Sequence, residues 1–144
     1  MPAMLVLALL SLVASAADLA SIRIEPNLEK RAGLAMDFAR TQVDAAREAE
    51  KAGNAASMTA ALEEAANAVE LARDSLKATG KNASRSPKHF KKAELNARNL
   101  LRRLDSLIHD LSVDDRAPAE KTRARVHKVQ EALLLDIMGG GKRK

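Results

Sequence analysis

Apolar residues recur at spacings of three and four almost without a break from Leu28 to Met138, in four stretches of near-equal length. That period puts them on one stripe of a helix, because side chains at i, i+3, i+4 and i+7 share a face. The spacing predicts a first helix from Pro26 to about Ala52 and a second from about Ala56 to Thr79. It predicts a third from about Lys88 to Ser112 and a fourth ending near Met138. Pro26 suits a first helical turn, Gly53-Asn54 and Gly80 tolerate the left-handed backbone of a helix end, and Asp114-Asp115 with Pro118 offers a cap and first turn for the last helix.

The stripes name a core. Leu28, Ala32, Ala35, Ala39, Val43 and Ala46 line the first helix, flanked by Phe38, and Met58, Leu62, Ala65, Val69, Ala72 and Leu76 line the second. In the third, Phe90, Ala97, Leu104 and Leu111 repeat every seven residues, with Ala93, Leu100 and Leu107 between them and Leu101 and Ile108 alongside. Val126, Val129, Leu133 and Ile137 complete the fourth. Helices of about 22 to 27 residues are roughly 33 to 40 Å long. Two of the three joints are too short to return along such a length, so sequential helices are expected to be antiparallel neighbours.

The fold class expected is therefore all-α: an up-down-up-down antiparallel four-helix bundle over residues 26–138, dry inside and without a cleft. Its first hairpin is alanine-rich and should pack backbone close to backbone. Its second is leucine-rich, so stability should rest on Leu100, Leu104, Leu107, Leu111 and Leu133. The competing architecture is a pair of solenoid-type hairpins, whose roughly 34-residue repeat leaves each helix about half as long as these.

Ahead of the helices, Met4 to Val13 form an apolar core followed by the small-x-small triplet Ala14-Ser15-Ala16. That is the pattern of a secretory leader, and the run falls short of the roughly 20 apolar residues of a bilayer span. Residues 1–16 are read as a signal peptide, 17–25 as an N-terminal extension and 139–144 as a flexible basic tail. The mature chain is expected in the periplasm or outside the cell, with no transmembrane segment. It has no cysteine, which excludes disulfides, thiol catalysis, cysteine zinc sites and covalent haem attachment. It has no Trp or Tyr and only Phe38 and Phe90. That leaves no aromatic platform for stacking bases and argues against a nucleic-acid partner.

The net charge of +5 is unevenly spread. Lys81 to Arg103 holds eight Lys or Arg against the single acid Glu94, whereas Pro26 to Thr79 carries seven bases and nine acids. At 100° per residue, Lys91, Arg98, Arg102 and His109 fall on one line of the third helix, and Lys88 and Lys92 widen it. Such a ridge could attract an anionic surface or an acidic envelope protein. For catalysis the chain offers little: no serine in a glycine-rich elbow, no Glu-x-x-His pair, and three histidines on polar faces. Asp105 and His109, four apart, read as a solvated pair. No catalytic residue, metal site or resident cofactor is expected. Leu71, Leu134 and Leu135 point to the outer sides of their helices and motivate self-association as a homodimer.

Two stretches resemble small periplasmic b-type cytochromes, which hold haem in a four-helix bundle. They are Glu50-Lys51-Ala52-Gly53-Asn54-Ala55-Ala56 and Lys121-Thr122-Arg123-Ala124-Arg125-Val126-His127. The resemblance implies iron ligation by a Met early in the first helix and a His late in the last. Those would be Met36 and His127, in an alternative role as a haem-binding electron carrier. More broadly the chain looks like the small secreted helical proteins of bacteria, which implies a non-enzymatic protein that binds or scaffolds a component of the envelope.

Overall fold

The computed structural model describes residues 19–139. The expected leader, the first two residues of the extension and all but Gly139 of the expected tail lie outside the described residues. Within them the chain is all-helical and holds no strand. Four long helices carry it: α1 Leu28–Lys51, α2 Ala55–Ala78, α3 Lys88–Asp110 and α4 Ala117–Ile137, with a 3-10 turn at Val113–Asp115 before α4. Residues 19–23 are also helical. There Leu19 is buried and Ile22 packs on the core, so part of the expected extension belongs to the fold.

Capping chemistry sets the helix ends. α1 starts two residues after Pro26, because Asn27 is the cap: its side-chain oxygen accepts from the Lys30 N–H at 3.0 Å. Asn54 does the same for Ser57 at the start of α2, and Gly53, at φ +71°, makes the tight turn before it. Asp114 and Asp115 do not cap α4 as expected. They lie in the 3-10 turn, where the Ser112 hydroxyl donates to Asp115, and α4 opens with Pro118 in its first turn. α3 stops two residues early because Leu111 is already extended.

The helices form two antiparallel hairpins, α1 with α2 and α3 with α4. Consecutive α2 and α3 scarcely touch; α3 lies against α1, and α4 against α2. Glu29 meets His89, Asp44 meets Arg103 and Arg47 meets Asp110, so α1 and α3 run the same way. Thr122 beside Leu62 and Asp136 beside Arg73 show the same for α2 and α4. The expectation that every sequential pair are neighbours fails at the joint 79–87. That joint is long enough to cross the end of the helices: Ala83 is buried there, and Lys81 Nζ reaches Glu29 Oε1 at 3.1 Å. α3 thus begins beside α1.

Packing follows the stripes. Ala35, Ala39 and Ala46 of α1 and Ala65, Ala68 and Ala72 of α2 have no exposed surface, and the α1–α2 pair makes the most extensive close backbone approach in the fold. Leu62, Leu76, Leu104, Leu107 and Leu133 fill the interior. Each is worth about 1.5–3 kcal/mol of burial, against little for an alanine. Leu28, Ile108 and Ile137 are only partly buried, each standing within a turn of a helix end. Leu71 packs against the core rather than pointing away, while Leu134 and Leu135 are exposed. The Thr122 hydroxyl donates to the Leu62 carbonyl at 3.0 Å, satisfying a buried polar atom while tying α4 to α2.

A second tie between those helices titrates. Arg125 of α4 reaches across to Glu63, Asn67 and Glu70 of α2, at 2.6 to 3.0 Å. The guanidinium, mainly by its hydrogen bonds, holds the Glu70 carboxyl below its ordinary value of 4.5. A carboxylate depressed on folding contributes stability that is complete above its unfolded value and lost as pH falls through the folded one. Stability should therefore fall as pH drops below 4.5, and Arg125→Met should flatten that acid limb of the curve. Urea midpoints collected across acid pH read the slope directly; equal slopes in both proteins would remove Glu70 as the titrating partner.

Candidate functional site

The core face of α3 is occupied by Phe90, Ala93, Ala97, Leu100, Leu104 and Leu107. Leu101 and Glu94 are buried at its edges, and the opposite arc faces water. Lys88, Lys91, Lys92, Arg98, Arg102 and His109 are all exposed on it. From Lys88 to Arg102 the ridge spans about 21 Å of helix. Leu95, 52% exposed, sits within it, three or four residues from Lys91, Lys92 and Arg98.

Ion pairing separates these cations. Among the described residues Lys88, Lys91, Lys92 and Arg102 meet no carboxylate, whereas Arg98, Arg103 and Arg123 each meet one and Arg125 meets two. Arg98 grips Glu94 with both Nε and Nη2, and Gln130 of α4 donates to the same carboxylate at 2.6 Å. Glu94 is 8% exposed, so Arg98 serves to neutralise a buried acid and its charge is largely spent inside the fold. His109, in the last turn of α3, is well placed to interact with the helix dipole. Asp105 does not pair with His109: it binds Arg123 across the α3–α4 interface.

The two haem-ligand candidates occupy separate places. Met36 is buried on the side of α1 that faces α3, and neither groove it lines includes a residue of α4. His127 is partly exposed on α4, its Nε2 3.5 Å from Glu131 Oε1. No group of three or more His, Asp or Glu placed to hold a metal occurs among the described residues. No helix there is long and apolar enough to cross a membrane.

One feature overturns an expectation. The seam between α1 and α3 is not closed but carries a groove of about 480 Å³. A second, of about 250 Å³, shares Met36, Asp37 and Asn96 with it and continues it along the helices. Gly33 lines the first, and a Cβ built there would meet nothing within 4 Å. The sequence does carry a signal for it, since an isolated glycine inside a helical pattern costs about 1 kcal/mol against alanine and asks for a reason.

No protein-family model, curated protein or solved structure matches the chain.

Proposed function

We propose that this is an exported, non-enzymatic protein, a bundle of four helices that binds an anionic surface of the cell envelope through the outer face of α3. The observation that carries the reading is the group of unpaired cations on one face: Lys88, Lys91, Lys92 and Arg102. An amphipathic helix needs a polar outer face, but it does not need one of a single sign. Six arginines elsewhere on the helices and on the inner edge of α3 are paired with carboxylates; here four unpaired charges stand together on one face of one helix, with Leu95 among them. Cations near an anionic membrane contribute about 1 kcal/mol each, and an apolar side chain between them can enter the headgroup boundary.

The mature chain should bind vesicles containing phosphatidylglycerol and ignore vesicles of phosphatidylcholine alone. Its affinity should fall steeply with added salt, as the Debye length shrinks from about 10 Å at 0.1 M to about 3 Å at 1 M. Co-sedimentation across a salt series measures this. Binding indifferent to salt, or equal on both lipids, would sink the proposal.

A further inference from the structure

The α1–α3 seam has an unusual construction. At one end Glu29 ties α1 to Lys81 and His89, each contact 3.1 Å. At the other, Asp44 holds Arg103 at 2.6 Å, and Arg47 holds Asp110 and Ser106 at 2.9 and 3.0 Å. Between these ion pairs the two grooves run together along the seam as an open slot. Its floor includes Ala32, Gly33, Met36 and Ala93 in the larger groove, and Leu100 in the smaller. Gly33 has no packing partner that would forbid a side chain, and its φ is not in the left-handed region, so neither sterics nor backbone geometry requires glycine there. Its effect is to keep the slot open.

The charges on the slot are not balanced. Glu29 is committed to Lys81 and His89, and Lys30 to Glu25. Among the described residues Lys92 and Arg40 have no ion-pair partner, against Asp37 as the one acid of the slot without one. Lys92 stands on both the slot and the exposed ridge.

We infer that the slot holds a single-chain anionic amphiphile, a carboxylate or phosphate head on one acyl chain, with its head at Lys92 and its chain over Gly33 and Met36. The volume of about 480 Å³ lies within the roughly 300–1,000 Å³ typical of small-molecule sites. The inference rests on the surface reading for the source of the ligand: the ridge would bring the slot to an anionic lipid surface, and Lys92 joins the two.

Decanoate, titrated calorimetrically below its micellar range, is the probe. Wild type should bind it, and decanol should bind at least tenfold more weakly. Gly33→Leu should weaken decanoate at least tenfold with far-UV dichroism unchanged, since the added side chain enters open space. Lys92→Gln, on an exposed position, should weaken decanoate about tenfold and leave decanol alone. Wild type that ignores decanoate, Gly33→Leu that binds it normally, or decanol equal to decanoate would each overturn the assignment. The triple variant Lys88→Gln, Lys91→Gln, Arg102→Gln should lose anionic vesicles yet keep decanoate. Vesicle binding without decanoate binding would remove the slot alone, and decanoate binding without vesicle binding would remove the surface reading alone.

Discussion

Leu104→Ala should lower the unfolding free energy by about 2–5 kcal/mol. A domain of this size has roughly 5–15 kcal/mol in all, so the loss is a large share. Leu104 has no exposed surface and stands among Leu100, Leu107 and Leu133, which are buried to the same degree within 3%. Truncating it removes the transfer energy of its methyl groups and leaves a cavity as well. The cavity should persist. The helix ends of α3 are held by Arg47 to Asp110 and Glu29 to His89, which resist a collapse of α3 toward its neighbours. With no cysteine there is no disulfide to blunt the loss. Urea unfolding followed by far-UV dichroism reads the change as a shifted midpoint with an unaltered slope. Leu95→Ala on the outer face of the same helix is the control, expected within about 0.5 kcal/mol of wild type. Equal midpoints for the two variants would remove Leu104 from the core.

Periodicity made that core legible. The seven-residue recurrence of Phe90, Ala97, Leu104 and Leu111 needs no partner to be read, because burial on a helix follows from angle alone. Every one of those four is buried, as is the second-helix stripe from Met58 to Leu76. Which helices lie side by side was another matter. A joint of three residues permits only an antiparallel neighbour, but the joint 79–87 permits either a neighbour or a diagonal. The choice depends on where Ala83 finds burial, which no local pattern encodes. The groove followed from the same ignorance. An isolated glycine such as Gly33 inside a helical pattern is a signal, yet its meaning requires knowing that α3 stands opposite it. Arg98 is different. Its spacing from Glu94, four residues C-terminal, is that of a helical ion pair, so its withdrawal from the exposed ridge could have been read directly. What could not be read is that Gln130 closes the same carboxylate from α4.

That distinction between free and committed cations yields the sharpest test of the surface. Lys88→Gln, Lys91→Gln and Arg102→Gln together should weaken binding to phosphatidylglycerol vesicles by about 3 kcal/mol, at about 1 kcal/mol for each charge near an anionic membrane. That is roughly a hundredfold in affinity. The fold should not notice: none of the three has an ion-pair partner among the described residues, and glutamine is nearly as good a helix former as either basic residue. Lys77→Gln, Lys121→Gln and Lys128→Gln make the matched comparison. They remove the same three charges from exposed positions on α2 and α4, so long-range attraction set by net charge alone would fall equally in both variants. A ridge that docks face-on predicts unequal losses, because only charges within about a Debye length of the lipid headgroups act at full strength. Arg98→Gln should behave differently again. It strips the buried Glu94 carboxylate of its main partner, so its effect belongs mostly to stability and only slightly to vesicle affinity. If the two triple variants lost affinity in parallel, α3 would have no privileged face, and the chain would be attracted to membranes merely as a basic protein.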